Sequence, residues 1–299
     1  MAIPYVQLLE TRIKMKKSES ILSKCNICGI ASDEVKFAKE LLSGKGSATK
    51  TDKESFICEG LWAAQKLMDK GMHISHFFIS SDALQGGRLS DSELELAESL
   101  VNYAKASYAV SDKACKKISD RDGADFCFII ARRELYNLDN MPLYDNMLIM
   151  ILDGQEQPGN IGAILRSLDC AGGCGAIVVN RRVKLSNSRL VRSALGASFM
   201  MPVAEAEMTE VGEWLVANNF KAVLTDLTAT KAYCDVEYKG RIAIVAGNEH
   251  TGISSYWRTL PVAEPVIIPM LGSCESLNVG FASTLVAYEA GLRMHGLKK

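Results

Sequence analysis

The segment 147–166 reads MLIMILDGQEQPGNIGAILR, and it decides the fold class of the chain. Met147–Gly154 is a continuous apolar run, which is typical of a strand buried on both faces of a parallel sheet. After a short loop we expect Asn160 to cap a helix over Ile161–Ala171, because asparagine is a favoured N-cap residue. Ala176–Asn180 (AIVVN) is the next predicted strand. The segment therefore predicts a parallel βαβ unit.

Two later segments repeat this order of strand, loop and helix. Arg241–Gly247 (RIAIVAG) is a predicted buried strand that leads directly into Asn248–Gly252 (NEHTG). Pro265–Met270 (PVIIPM) is another, followed by the loop Leu271–Ser276 and a predicted helix over Leu277–Leu292. Parallel sheets bind ligands outside the carboxyl ends of their strands. The loops from these distant segments therefore predict one composite site.

The overall composition is that of a globular protein. The 299 residues suggest two domains, and 48% hydrophobic with 23% charged residues excludes a disordered chain. The 34 basic and 35 acidic residues give a net charge of −1, which excludes a broadly basic surface but still allows a local basic patch.

The sequence also indicates a cytoplasmic protein without a membrane segment. No apolar run approaches the roughly 18 residues that cross a bilayer, and the N-terminal stretch lacks the pattern of a secretory signal. Nine scattered cysteines in a chain that can build its own core are typical of reduced thiols. Cys25 and Cys28 form a CxxC without a second nearby pair, so we expect no metal site.

The first half of the chain predicts a small α/β module, because short strands alternate with helices. The predicted strands are Phe56–Cys58, His76–Ser80, Tyr108–Val110 and Asp125–Arg132, and the predicted helices are Ser32–Leu42, Leu61–Met68, Glu93–Ala104 and Asp112–Ile118. Several basic side chains form either an RNA-contacting face or an ordinary solvated face. They are Lys113, Lys116, Lys117, Arg121, Arg132 and Arg133.

Three ordered motifs resemble those of the SpoU/TrmH family of RNA ribose 2′-O-methyltransferases. They are NIGAILR (160–166), AGNEHTGIS (246–254) and IPMLGSCESLNV (268–279). Two positions depart from the family pattern, since His250 replaces a glycine and Gly280 replaces a small hydroxyl residue. The first half is similar to an L30e-like RNA-binding module through FICEG (56–60) and KISD (117–120).

The resemblance implies an α/β protein whose C-terminal domain is a trefoil α/β-knot with a parallel sheet, preceded by the smaller L30e-like domain. It implies four regions: a helical extension over 1–50, the RNA substrate-binding domain over 51–134, a linker over 135–146 and the methyltransferase domain over 147–299. It also implies S-adenosylmethionine as the cofactor and a homodimer.

The resemblance further implies which residues form the site. The catalytic candidates are Arg166, Asn160, Glu249 and Asn278, and the cofactor-binding candidates are Gly247, Ile268, Met270, Ser276 and Leu277. Family position makes Arg166 either the base or a phosphate clamp. A guanidinium normally stays protonated, which favours the clamp. His250 is the next candidate for the base.

The expected function is methylation of a ribose 2′-hydroxyl in RNA, with 23S-type ribosomal RNA as the expected substrate. Within the same enzyme class the alternatives are a transfer RNA substrate and ribosome modification that confers antibiotic resistance. A non-catalytic RNA-binding protein of the same fold is the alternative from another class. Asn160, Arg166, Glu249 and Asn278 together argue against it, because a protein that only binds RNA has no evident need for all of them.

Overall fold

A computed structural model describes residues 5–44, 55–119, 125–134 and 136–298, with only the backbone described for residues 5–11. Asp120 of the KISD motif and the basic candidate Arg121 lie outside these residues. The chain divides into two compact units, Met1–Arg133 with Ser186–Ser188, and Glu134–Leu185 with Arg189–Lys299. Within the described part of the chain, no helix has both the length and the apolarity that a membrane crossing requires.

The N-terminal unit is built on a mixed five-stranded sheet with the order β1-β4-β3-β5-β2. Strand β5 runs antiparallel to β3 and β2, whereas β4 pairs in parallel with β1 and β3. In chain order, the elements are α1 (Tyr5–Ser23), β1 (Asn26–Ile27), α2 (Asp33–Ser43), β2 (Ser55–Glu59), α3 (Ala64–Asp69), β3 (Ile74–Ser80), α4 (Ser81–Gln85), α5 (Asp91–Tyr103), β4 (Ala106–Val110), α6 (Asp112–Ser119) and β5 (Cys127–Arg132).

Not all of the basic candidates of this unit are available to a partner. Arg133 is buried, and the Lys117 ammonium donates to the carbonyl oxygen of Ile30 at 3.0 Å. Lys113, Lys116 and Arg132 are exposed. Arg133 therefore cannot belong to an exposed basic face, whereas Lys113, Lys116 and Arg132 can.

The C-terminal unit is built on a six-stranded, all-parallel sheet with the order β11-β9-β10-β6-β7-β8. Its elements are β6 (Met147–Asp153), α7 (Pro158–Cys170), β7 (Gly175–Val179), α8 (Ser188–Ala194), α9 (Ala197–Met200), β8 (Val203–Glu205), α10 (Met208–Ala217), β9 (Phe220–Thr225), β10 (Arg241–Ala246), β11 (Ala263–Val266) and α11 (Val279–Met294). Two 3₁₀ helices, Tyr233–Asp235 and Ser255–Thr259, complete the list.

Both faces of this sheet are covered, as the apolar run of β6 predicts. All seven residues of β6 are buried, and alternate side chains enter two cores on opposite faces of the sheet. One core is formed with α7 and α11, and it contains Leu148, Leu165 and Val286. The other is formed with α10 and the second 3₁₀ helix, and it contains Ile149, Val211 and Trp257. The α/β class and the parallel sheet are confirmed.

Asn160 does not cap α7, which corrects the first prediction. The helix begins at Pro158 and its N-cap residue is Gln157. Proline fits the first helical turn because its missing N–H needs no partner there and its φ is already helical. The side chain of Asn160 is thereby free to contact another part of the chain.

The third predicted strand is shorter than its apolar run. Strand β11 ends at Val266, opposite Thr225 at the end of β9. The next residue leaves this pairing, because the Ile267 amide donates to the carbonyl oxygen of Lys231 at 2.9 Å. The following helix begins at Val279 rather than Leu277, and Asn278 is its N-cap.

Candidate functional site

Glu249 is the point at which the first two motif loops meet. Its Oε1 accepts hydrogen bonds from Asn160 Nδ2 at 3.0 Å and from the Gln157 amide at 3.3 Å. Its Oε2 accepts from the Glu156 amide at 3.2 Å. This carboxylate therefore binds the two backbone amides just before Pro158, where α7 begins, from a loop about 90 residues away in sequence.

Asn278 adds the third motif to the same hydrogen-bond chain. Its Nδ2 donates to Asn160 Oδ1 at 3.3 Å, and its Oδ1 accepts from the Gly280 amide at 2.8 Å. Asn160 therefore donates to a carboxylate on one side and accepts from an amide on the other, so its orientation is fixed. Asn160, Glu249 and Asn278 form what we call the motif bridge.

Glu249 is ionised in this setting. Partial burial raises its pKa, but the hydrogen bonds from Asn160 and from the backbone outweigh burial and hold the pKa below the ordinary value. The motif bridge therefore carries a negative charge at neutral pH.

The loop after β10 has a fixed shape because Asn248 organises it. Asn248 Oδ1 accepts from the amides of His250 and Thr251, at 2.9 and 3.1 Å, and its Nδ2 donates to the Gly154 carbonyl at 2.8 Å. A β-carbon at Gly247 would lie 2.3 Å from backbone atoms of Gly252 and Ile253. Only glycine allows the loop to fold back this closely.

Asp153 ties the end of β6 to its surroundings. This buried carboxylate accepts from Asn180 Nδ2 at 2.7 Å, from the Ser254 amide at 2.8 Å and from Trp257 Nε1 at 2.9 Å. Gln155, also buried, donates from Nε2 to the Gly247 carbonyl oxygen. These side chains hold the loops of the first two motifs at one edge of the sheet.

Arg166 stands apart from the motif bridge. It lies six residues after Asn160 on α7, about 9 Å along the axis and about 120° around it by helix geometry. Its side chain is exposed and makes no hydrogen bond or ion pair with the described residues. One turn earlier, a β-carbon at Gly162 would lie 2.6 Å from the Leu190 carbonyl oxygen, so α7 packs closely against α8 there. Arg166 is thus held on a rigid helix with a free guanidinium.

The cofactor-binding candidates follow the ends of neighbouring strands. Gly247 is buried after β10, Ile268 and Met270 are half-buried after β11, and Ser276 and Leu277 are exposed before α11. His250 is exposed, and its imidazole makes no hydrogen bond, ion pair or ring contact with the described residues. The described residues contain no group of three His, Cys, Asp or Glu side chains that could hold a metal ion.

Sequence reasoning missed several residues of this region. The loops are held in position by Asp153, Gln155 and Asn248. This role depends on hydrogen bonds to residues far away in sequence, which no local pattern indicates. Strand β9 was also missed, although FKAVLT shows the β-branched and aromatic residues of a strand.

Comparisons with known proteins match the C-terminal unit. Residues 147–288 match the model of the SpoU rRNA Methylase family. The chain is 35% identical over 160 residues to a 23S rRNA (uridine(2479)-2′-O)-methyltransferase of Streptomyces viridochromogenes, covering 52% of this chain and 55% of that relative. It is 33% identical over 177 residues to a 23S rRNA guanosine-2′-O-methyltransferase of Salmonella typhi, and the match covers 56% of this chain and 72% of that relative. The chain thus spans about half the length of the Streptomyces relative.

The resemblance to solved structures extends through both units. An AdoMet-bound rRNA methyltransferase from Sinorhizobium meliloti covers 89% of this chain, and the chain covers 98% of it, with a TM-score of 0.76 at 24% identity. At this identity the likeness concerns the fold. It shows that the N-terminal module and the parallel-sheet unit occur together in another chain.

Proposed function

The chain belongs to the SpoU rRNA Methylase family, and on that premise we propose that it transfers a methyl group from S-adenosylmethionine to a ribose 2′-hydroxyl of 23S ribosomal RNA. The motif bridge is the observation that carries the proposal. It joins three loops, and their strands end at one edge of a parallel sheet, where such sheets bind ligands. The two curated relatives are named for 23S rRNA ribose methylation, which supports this substrate over transfer RNA.

The residues beside the motif bridge fit S-adenosylmethionine. Ile268, Met270 and Leu277 offer apolar surface for the adenosine, and the backbone of Gly247 and the residues after it offers polar groups. The ionised Glu249 lies on the second motif loop, in contact with the first, and complements the positive sulfonium. When bound, the cofactor supplies an electrophilic methyl group, and its sulfur becomes a neutral thioether after transfer.

Arg166 has the properties of a phosphate clamp. Its guanidinium is always charged, it has no partner among the described residues, and its planar fork matches two phosphate oxygens. We assign to it the orientation of the target nucleotide. Its positive charge also favours the deprotonated form of a nearby hydroxyl, because an opposite charge stabilises the oxyanion. Glu249 already accepts three hydrogen bonds, so we assign it the role of positioning Asn160, and the hydroxyl proton passes to solvent water.

A dimer formed through α11 completes the proposal. Phe281, Leu285, Tyr288 and Leu292 recur at helical spacing and are 69%, 42%, 40% and 37% exposed. Such a row of large apolar side chains on one helix face is typical of a surface that packs against a partner. We therefore propose a homodimer in which α11 lies at the interface.

The test is single-turnover methylation of a 23S rRNA fragment by the Arg166→Ala variant. Loss of a positioned transition-state contact costs on the order of a hundredfold in rate. We expect at least that loss, with cofactor affinity unchanged, and little rescue by Arg166→Lys, which lacks the planar fork.

Lys239→Ala is the matched control, because it removes an 81% exposed cation of the same unit away from the site. A rate within a few-fold of wild type for Arg166→Ala would contradict the assigned role. Methylation of transfer RNA but not of the rRNA fragment by the wild-type protein would contradict the proposed substrate.

A further inference from the structure

A cavity of about 710 Å³ opens at the carboxyl ends of β6, β7 and β8. Asn248, Thr251 and Ser254 line one side of it. None of the catalytic or cofactor-binding candidates lines it. The loop after β10 therefore contacts the motif bridge through Glu249 and this cavity through its other polar residues.

The charged groups of the cavity divide into satisfied and free ones. Asp153 is saturated by its donors, and Arg181 is paired with Glu205 at 3.2 Å. Arg182, Glu207 and Glu210 line the cavity, are exposed, and make no hydrogen bond or ion pair with the described residues. One free guanidinium therefore lies in the same cavity as two free carboxylates.

This charge pattern favours a ligand with two different ends. The carboxylates disfavour a simple anion, and Arg182 disfavours a simple cation. A nucleotide combines a phosphate for the guanidinium with a base edge for a carboxylate. Guanine suits a carboxylate best, because its Watson–Crick edge presents two adjacent donors, N1–H and N2–H. Adenine, uracil and cytosine each place an acceptor beside the donor on that edge.

The basic residues in the sequence around the cavity indicate that its ligand is part of a polyanionic strand rather than a single free nucleotide. No acidic residue stands between Asp169 and Glu205, while five basic residues do. These are Arg181, Arg182, Lys184, Arg189 and Arg192, and all are exposed. The cavity itself has more carboxylates than guanidinium groups, but positive charge extends from Arg181 and Arg182 in its lining into α8, which packs against α7, the helix that carries Arg166.

We propose that this cavity binds a guanine nucleotide of the RNA strand that carries the target ribose, with its phosphate on Arg182 and its base edge on Glu207 or Glu210. This inference rests on the proposed function and deepens it, because it assigns a sequence-reading contact to the methyltransferase unit itself. The target nucleotide occupies the site beside Arg166, so the guanine is a neighbour of the methylated residue.

Calorimetric titration of the full chain, with S-adenosylmethionine present, tests the cavity directly. Guanosine 5′-monophosphate should bind at least fivefold more tightly than adenosine 5′-monophosphate. The double variant Glu207→Gln/Glu210→Gln should abolish this preference. Arg182→Ala should lower the affinity for both nucleotides about tenfold. Glu213→Gln, an exposed glutamate on α10 that does not line the cavity, should behave as wild type.

A competition experiment tests whether the guanine that binds in the cavity belongs to an RNA strand or to a free nucleotide. A single-stranded RNA heptamer with a central G should displace guanosine 5′-monophosphate at a concentration at least tenfold below that of the same heptamer with a central A. Equal displacement by the two heptamers, or a guanine preference that survives the double variant, overturns the proposal. These readouts do not require methyl transfer. A wild-type protein that binds guanine here but methylates no rRNA would therefore refute the proposed function and leave the cavity assignment standing.

Discussion

Glu249 is a carboxylate that holds two motif loops together. It accepts one hydrogen bond from the Asn160 side chain and two from the backbone amides just before α7, and these bonds favour its ionised form. We therefore expect its effect on methyl transfer to pass through Asn160, which it orients, and through its negative charge. On this proposal Glu249 is a positioning residue.

Replacing Glu249 by Gln tests that role. The amide keeps the shape but loses the charge, and its NH₂ group faces donors that need an acceptor. We expect a loss of stability on the order of 1–2 kcal/mol, since hydrogen bonds to a charged group are among the stronger ones. We also expect a methylation rate at least tenfold lower, with RNA affinity unchanged.

The pH dependence of stability gives this variant a second readout. Because the folded pKa of Glu249 lies below its ordinary value of 4.5, its contribution is present above pH 4.5 and is lost as pH falls through the folded pKa. Denaturant unfolding should show a shallower loss of stability below pH 4.5 in Glu249→Gln than in wild type. The same acid slope in both proteins, with Glu213→Gln as the control, would show that the carboxylate is not held by these bonds.

At the scale of elements, the turn after β10 depends on one close backbone approach. Strand β10 pairs along its whole length with β6, so the two strands end at the same edge of the sheet. The chain then reverses at Asn248, and Gly252 and Ile253 return against Gly247. The conformation of the second motif thus depends on the close backbone contact at Gly247 as well as on the hydrogen bonds of its side chains.

A methyl group at Gly247 should disturb this turn. Gly247→Ala places its β-carbon against backbone atoms that cannot move separately, and we expect a loss of about 1–3 kcal/mol from overpacking. Because Gly247 is a cofactor candidate, calorimetry should also show at least tenfold weaker S-adenosylmethionine binding. Gly29→Ala is the control, since a β-carbon there meets nothing within 4 Å and the residue lies in the N-terminal unit. If both variants bind the cofactor equally well, the turn does not form the cofactor site.

At the scale of the whole molecule, the chain places two α/β units in sequence, each with its own sheet and core. The C-terminal unit covers both faces of its sheet with helices, yet it leaves the apolar row on α11 exposed. Burying that row in a partner removes apolar surface from water, which is the usual driving force for association.

Leu285→Asp should therefore convert a dimer to a monomer. The side chain is exposed in the single chain, so the substitution should change the monomer's stability by less than about 1 kcal/mol. Analytical ultracentrifugation of the full chain should show the dimer for wild type and the monomer for the variant. Leu297→Asp, which alters a 75% exposed leucine outside the row, should leave the mass unchanged. A monomeric wild type would refute the interface.

Much of the C-terminal architecture could be predicted from local pattern. The apolar runs of β6 and β10 identified buried parallel strands, and the turn residues that follow identified the ligand edge. These features follow from hydrophobic periodicity and turn chemistry, which act within a few residues of the chain. The start of α7 could not be predicted from the sequence, because Pro158 and Asn160 both favour a helix start. In the structure the helix begins at Pro158.

Local sequence pattern was enough to predict the α/β class, the strands that lead to the site and its candidate residues. The bridge that Asn160 makes to Glu249 and Asn278, which stand 89 and 118 positions away, exists only in the folded chain. The tertiary structure alone placed Arg182, Glu207 and Glu210 around one cavity. The physical reason is that a hydrogen bond or a cavity depends on the register of paired strands and the packing of helices, and no local run of residues specifies either.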